Sequence, residues 1–140
     1  MSFTSFFRRI FVNDLKSTII KELKYIYDSK ILFEIFNDYN FTEDIYRKSI
    51  SRLEKMKIKQ TELTREEVRF AAFNIVKKTI ADEIIFYNDF IYRGVPGLKS
   101  REDIGAYVKL INYMCEKNLL TEEEKNSNLA DLREFISQSG

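Results

Sequence analysis

Few residue types in this sequence could carry out chemistry, and the absence of histidine removes most of the usual arrangements. The 140 residues include no histidine and a single cysteine, Cys115. Nucleophile pairs of Ser with His or Cys with His, zinc sites with histidine ligands and the Glu-x-x-His motifs of di-iron helix bundles are therefore excluded. A lone cysteine also excludes a disulfide bond within the chain, which fits a reducing, cytoplasmic compartment.

Carboxylates are the remaining candidates for catalysis. All-helical nucleotide pyrophosphatases work with carboxylates and magnesium alone, but they need Glu-x-x-Glu and Glu-x-x-Asp pairs, because this spacing places two carboxylates on one helical face. Neither spacing occurs in the sequence. The nearest approach, Glu34 followed by Asp38, is typical of two solvated charges at a helix end. The sequence therefore predicts that the protein is not an enzyme, and we expect no catalytic residue, cofactor or metal site.

Two charged residues fall within apolar helical arcs. At about 100° per residue, Glu83 lies within the apolar arc of the central helix, and Lys30 lies within that of the first helix. Taking an unpaired ion out of water costs at least several kcal/mol, so each of these side chains needs a partner if it is buried. We interpret Glu83 and Lys30 as a buried polar pair between these two helices, in preference to a catalytic or ligand-binding site.

The most basic surface is predicted on a helix over residues 42–58. Its basic face consists of Lys48, Arg52, Lys55 and Lys59. The whole chain carries a net charge of only +1, so attraction for nucleic acid would have to come from this local patch. A basic run is usually a solvated helix face, and no glycine-rich or aromatic signature accompanies this one. Nucleic-acid binding through the basic face is accordingly the alternative to the function favoured below.

An amphipathic segment over residues 1–12 is a candidate partner-binding surface. Its aromatic stripe consists of Phe3, Phe6, Phe7 and Phe11. A membrane-binding helix normally carries more lysine and arginine on its polar face than this segment does. We therefore expect the stripe to fold onto the core or to pack against a second copy of the chain as a homodimer, rather than to bind a membrane.

The loop that follows the central helix is a second candidate surface for a protein partner. It is the one region rich in glycine and proline, and it precedes the predicted start of a helix. Loops positioned by a rigid scaffold often carry binding residues. The residues expected to contact a partner are Tyr92, Arg93, Val95, Leu98 and Lys99.

The longest helix is predicted over residues 64–92 and must position several of these side chains. Thr64 and Glu67 form a capping box, in which each side chain can satisfy a backbone N–H group of the other residue. The apolar residues that follow cover more than half of the helix circumference, so we expect contacts on several sides. Gly94 and Pro96 favour an end to the helix beyond residue 92. This helix is predicted to be the centre of the fold.

Other helix signals divide the rest of the chain. A first long helix is expected from an N-cap at Asn13 to about residue 40, and the pattern leaves open whether it breaks near residues 28–30. The next helix is predicted to begin from an N-cap at Thr42. A fourth is predicted to begin at Ser100, and Cys115 lies in its apolar arc, where we expect a buried and unreactive thiol.

The end of the sequence predicts a helical hairpin. Thr121 and Glu124 form a second capping box, which opens the last helix after a short turn. We expect an inner stripe formed by Leu129, Leu132, Phe135 and Ile136, and fraying of residues 138–140. The two last helices should therefore pack antiparallel.

Together these patterns predict an all-α protein, with residues 1–140 forming a single domain. Every apolar series runs at helical spacing, so we expect an irregular bundle of five to six helices around the helix at 64–92. The function that we favour is a small interaction module, such as an adaptor, inhibitor or immunity-type protein, that binds a protein partner. The aromatic fraction of 14% is high, and aromatic side chains outside the core are common anchors of interfaces.

Overall fold

A computed structural model of the chain describes residues 14–88 and 98–137. Within these ranges the structure contains helices and no strands, so the predicted all-α class is confirmed. The helices are α1 (Leu15–Asp28), α2 (Ile31–Phe36), α3 (Tyr39–Lys55), α4 (Arg65–Asn88), α5 (Leu98–Glu116) and α6 (Glu122–Ser137).

The long helix α4 is the centre of the bundle, as predicted. It packs against α1, α3, α5 and α6. Phe73, Val76, Ile80 and Ile84 lie along it and are almost completely buried. The predicted capping box is present, because the Thr64 amide donates to Glu67 Oε1 at 3.0 Å and the Glu67 amide donates to Thr64 Oγ1 at 3.1 Å. The predicted continuation of this helix to residue 92 lies outside the described residues.

The first predicted helix is divided in two, which answers the question that the sequence left open. Asp14 is the N-cap of α1, and its Oδ1 accepts a hydrogen bond from the Ser17 amide at 3.1 Å. The predicted N-cap, Asn13, lies outside the described residues. Lys30 adopts the left-handed conformation with φ of 68°, and α2 begins at the next residue. Leu32, in the first turn of α2, is completely buried.

The prediction that Thr42 caps the next helix is wrong. Asp38 is the N-cap of α3, and its Oδ1 accepts a hydrogen bond from the Phe41 amide at 2.9 Å. Asn37 ends α2 in a left-handed conformation with φ of 51°. Only Asn37 and Asp38 connect α2 to α3, so α3 starts earlier than expected. Thr42 lies inside the helix, where it is buried and its hydroxyl donates to the Asp38 carbonyl. The helix ends at Lys55 rather than near residue 58.

The predicted hairpin of the last two helices is confirmed. Asn118 has φ of 61°, and the amide of Leu119 donates to the Met114 carbonyl at 2.8 Å, which is the hydrogen bonding of a Schellman motif. The second capping box is present in the hydrogen bonds between Thr121 and Glu124. The two helices run antiparallel, because Cys115 contacts Glu122 beside the turn, whereas Tyr107, two turns earlier in α5, contacts Phe135 near the end of α6.

Two predicted details of this hairpin need correction. The helix α5 begins at Leu98 rather than at Ser100, and Ser100 is buried within its first turn. In α6, Leu129, Leu132 and Phe135 pack against the core as expected. Ile136, however, is 39% exposed, because it lies in the last turn of α6 beyond the end of the inner stripe.

Candidate functional site

A groove lies where the N-terminal end of α4 meets the C-terminal end of α5. It has a volume of about 660 Å³ and opens to solvent along one side. The lining combines the capping turn and first turns of α4 with the last turn of α5 and the residues that follow it. These residues are Thr64, Glu66, Glu67, Arg69, Phe70, Phe73, Tyr113, Lys117, Asn118 and Leu119.

Aromatic rings form the floor of this groove. Phe70 and Phe73 are three residues apart on α4 and therefore lie on one face of that helix. Phe73 is buried, and its ring centroid lies 5.6 Å from that of Tyr113 on α5. Phe70, Tyr113 and Leu119 pack against the core with one side and are only partly buried. The groove therefore offers apolar surface on side chains that the core holds in place.

Charged side chains form the rim of the groove. Arg69 Nε donates a hydrogen bond to Glu22 Oε1 at 2.8 Å, and the Arg69 guanidinium lies 5.6 Å from the centroid of the Tyr25 ring. The hydrogen bond that Arg69 donates to Glu22 raises the pKa of Arg69, although partial burial acts in the opposite direction. Lys117 is exposed, with its ammonium group 5.7 Å from the centroid of the Tyr113 ring. The rim therefore combines charge of both signs with aromatic surface.

A second cluster of charges lies about 20 Å further along α4, where this helix meets α3 and α5. Lys48 on α3 places its Nζ atom 3.0 Å from Asp44 Oδ2 and 2.9 Å from Glu83 Oε1. On α5, Lys99 Nζ lies 2.9 Å from Asp103 Oδ1. We call Asp44, Lys48, Glu83, Lys99 and Asp103 the junction cluster.

Burial and ion pairing act in opposite directions on the titratable groups of the junction cluster. Asp103 is fully buried, and this loss of solvation raises its pKa to about 6, with Lys99 lowering it and the charge of Glu83 raising it further. Partial burial lowers the pKa of Lys48, but its hydrogen bonds with Glu83 and Asp44 outweigh burial and raise that pKa overall. Glu83 Oε2 and Asp103 Oδ2 are buried, and no described residue donates a hydrogen bond to them.

Two of the four residues of the predicted basic face are neutralised by neighbouring acids. Lys48 is paired within the junction cluster, and Arg52 forms an ion pair with Asp82 of α4. Lys55 and Lys59 are exposed, and Lys59 lies beyond the end of α3. Because α3 packs along α4, Lys48 and Arg52 meet acidic residues of that helix, and the four residues do not form one open patch.

The predicted pair between Lys30 and Glu83 is wrong. Glu83 pairs with Lys48, whereas Lys30 is exposed and its Nζ atom lies 5.7 Å from the centroid of the Tyr39 ring. The expectation assumed a continuous first helix, and the left-handed conformation of Lys30 changes the direction in which its side chain points. Glu83 has a charged partner, which α3 rather than α1 supplies.

Cys115 is only partly buried, so the expectation of a buried thiol needs correction. Its Sγ atom donates a hydrogen bond to Glu122 Oε2 at 3.3 Å across the turn between α5 and α6. This hydrogen bond and partial burial raise the pKa of the thiol. A raised pKa disfavours the thiolate, in agreement with the predicted low reactivity.

Most of the predicted partner-binding residues fall outside the described part of the chain. These are Phe3, Phe6, Phe7, Phe11, Tyr92, Arg93 and Val95. Leu98 is the first residue of α5, and Lys99 follows it in the first turn. The Lys99 side chain is half-buried and paired with Asp103, so it does not project from a loop as expected.

Sequence reasoning missed both Asp103 and the groove. Asp103 shares the helical phase of Ala106, Tyr107 and Leu110, which are all buried. That phase was the signal that could have identified it. The groove gave no such signal, because it arises from two helix ends that lie far apart in the sequence.

The described residues contain no group of three or more His, Cys, Asp or Glu side chains placed to bind a metal ion. Within the same residues, none of the helices is both long enough and apolar enough to cross a membrane. Comparison of the chain with protein-family models, with curated proteins and with solved structures finds no match.

Proposed function

We propose that this chain is a small protein-interaction module that binds a segment of a partner protein in the groove between α4 and α5. The observation that carries the proposal is the floor of Phe70, Tyr113 and Leu119, which are held by the core yet remain partly accessible. Aromatic side chains, arginine and tyrosine are enriched at the centres of protein interfaces. The adjoining pair of Arg69 and Tyr25 adds such residues at the rim.

The lining also indicates the chemistry of the partner segment. The volume of about 660 Å³ is within the range of ligand pockets, but such pockets are enclosed and mostly apolar, whereas this groove is open and has polar walls. A peptide segment with one or two bulky apolar side chains, flanked by charges, fits these properties better than a small apolar molecule. Glu66 and Lys117 lie on the rim and can pair with flanking charges of either sign.

Nucleic-acid binding through the basic face has no specific observation in its favour. Neutralising phosphates requires free cations, and Lys48 and Arg52 are engaged in ion pairs. We expect any nucleic-acid affinity to be weak and to change little when Lys55 and Lys59 are replaced by Gln. Titration of labelled RNA and duplex DNA at low salt checks this expectation, and strong binding that this double replacement abolishes would favour the alternative function.

Site-specific photocrosslinking in the source cell tests the proposed function. A photoreactive amino acid is introduced at Lys117 or Glu66, on the rim, and in separate control variants at Lys55 or Arg133, which are exposed on α3 and α6. We expect one and the same protein to be captured from both rim positions and not from the controls. Capture of that protein equally well from the controls, or no capture from the rim, would contradict the proposal.

A further inference from the structure

The junction cluster contains buried carboxylate oxygens that the proposed function does not use. Its charged members are three carboxylates, Asp44, Glu83 and Asp103, and two ammonium groups, Lys48 and Lys99. With every group ionised the cluster carries one negative charge in excess, and this charge is partly screened by solvent because the Asp44 side chain is 45% exposed. Asp103, in contrast, has no accessible surface, so a positive charge in addition to that of Lys99 would stabilise its carboxylate.

Two buried carboxylate oxygens of the cluster have no hydrogen-bond donor among the described residues. Asp103 Oδ1 is held by Lys99, and Glu83 Oε1 is held by Lys48, whereas the second oxygen of each carboxylate is buried and receives no hydrogen bond from a described residue. Buried polar atoms are nearly always hydrogen-bonded, so two such atoms on neighbouring helices require an explanation. Asp103 is the more deeply placed of the two residues, with no accessible surface.

A proton is the occupant that fits this site. A divalent metal would need more ligands than two carboxylates, and the described residues provide no cluster of three. Loss of solvation favours the neutral, protonated form of a carboxyl group, and a nearby negative charge favours it further. The burial of Asp103 and the nearby charge of Glu83 both raise the pKa of Asp103, in agreement with this arrangement.

We propose that Asp103 and Glu83 form a buried proton-binding site, in which Asp103 takes up one proton from solvent as the surroundings are acidified from neutral pH. Uptake of the proton neutralises the cluster and turns Asp103 Oδ2 into a hydrogen-bond donor. The packing of α3, α4 and α5 at this place is thereby strengthened at mildly acidic pH. The fold of this module is in this way linked to pH independently of the groove.

The charged groups that act directly on Asp103 lie on α5 and α4. On its own helix the charged neighbours are Lys99 and Glu102, and on α4 the charged neighbour is Glu83. The helices α2 and α6 also pack against α5. Their acids Glu34 and Asp131 act electrostatically on Tyr113 and Tyr107, respectively. On α3, Lys48 forms ion pairs with both Glu83 and Asp44.

A carboxyl NMR titration of the ¹³C-labelled full chain tests the site directly. The Asp103 carboxyl signal should titrate with a midpoint about 6, well above the ordinary value of 3.8. In the Glu83→Gln variant this midpoint should move down, because the neighbouring negative charge is removed. A midpoint near 4 in the unaltered protein, or a raised midpoint that Glu83→Gln leaves unchanged, would overturn the proposal.

Stability measurements give a second readout. With a folded-state pKa of about 6 and an unfolded value of 3.8, the folded state binds the proton more tightly, so stability rises as the pH falls through 6. Between pH 7.5 and 5 the folding equilibrium constant should increase about tenfold from this group. Asp103→Asn should lose this increase, whereas Asp131→Asn, an exposed control, should keep it. The proposal would be contradicted if the folding equilibrium constant of Asp103→Asn depended on pH as strongly as that of the unaltered protein. If Asp103→Asn does not fold, the NMR titration of the unaltered protein and of Glu83→Gln decides.

Discussion

Replacement of Glu83 by Gln should reveal an energetic coupling with Lys48 and none with Lys30. The ammonium group of Lys48 and the carboxylate of Glu83 are 2.9 Å apart, with side-chain exposures of 39% and 15%. Lys30 is exposed on a different part of the molecule. The pair with Lys48 therefore lies between a surface ion pair and a buried one, and its strength should be intermediate.

The magnitude follows from the distance and the exposure. Two unit charges at 2.9 Å attract by about 1.4 kcal/mol at the dielectric constant of water and by about 6 kcal/mol at an effective value of about 20. Desolvation opposes most of the larger figure, and solvent screens the half-exposed Lys48. We therefore expect a coupling of about 1–2 kcal/mol between Lys48 and Glu83.

Urea unfolding of Glu83→Gln, Lys48→Met and the double variant at pH 7 forms the double-mutant cycle that measures this coupling. Glu83→Gln also relieves repulsion on Asp103, but this effect occurs with and without Lys48 and therefore cancels in the cycle. The matched control is the cycle of Glu83→Gln with Lys30→Met. A coupling below about 0.5 kcal/mol between Glu83 and Lys48 would refute the arrangement of charges described above. A coupling above about 0.5 kcal/mol between Glu83 and Lys30 would refute it as well.

Three further predictions concern the capping box of α4, the thiol of Cys115 and the aromatic stripe of the sequence. Thr64→Ala removes one side of a capping box and should lower the free energy of unfolding by about 1 kcal/mol, seen as a lower urea midpoint with an unchanged m value. Cys115 should react with iodoacetamide several-fold more slowly than a free cysteine at pH 8, because its pKa is raised, and Glu122→Gln should speed the reaction. Equal rates in both proteins would contradict a role for this hydrogen bond. The Phe6→Ser, Phe7→Ser double variant should reduce self-association or partner binding in sedimentation experiments, whereas identical folded monomers with equal binding would assign the stripe to the core.

Helical phase and capping signals predicted much of the fold from the sequence. The capping box at Thr64 and the apolar residues around α4 depend on neighbours within two turns, and both are present as expected. The same reasoning failed at Thr42, because Asp38 competes as an N-cap four residues earlier. Local signals of this kind indicate that a helix starts. When two residues four positions apart, such as Asp38 and Thr42, can both act as the N-cap, these signals do not determine the first residue of the helix.

Features of the candidate site depend on contacts between helices and were predicted less well. The helical phase of Glu83 predicted that its side chain faces the core. The identity of its partner depends on which helix packs against α4 next to Glu83. Lys30 was predicted as the partner of Glu83 on the assumption that the first helix is continuous. A lysine in the left-handed conformation is uncommon, and nothing in the sequence indicates that Lys30 adopts it. The groove joins Phe70 to Tyr113, and this proximity exists only once the bundle has formed.

The affinity of the purified chain for the protein captured from the groove is the most direct test of the proposed function. Isothermal titration calorimetry should give a dissociation constant that Lys117→Glu weakens, and that Phe70→Ala weakens at least tenfold, or about 1.4 kcal/mol. Circular dichroism establishes that each variant is folded, and Lys55→Glu on α3 is the charge-matched control that should bind as the unaltered chain does. Unchanged affinity in folded Phe70→Ala and Lys117→Glu variants, or equal loss in Lys55→Glu, would contradict binding in the groove.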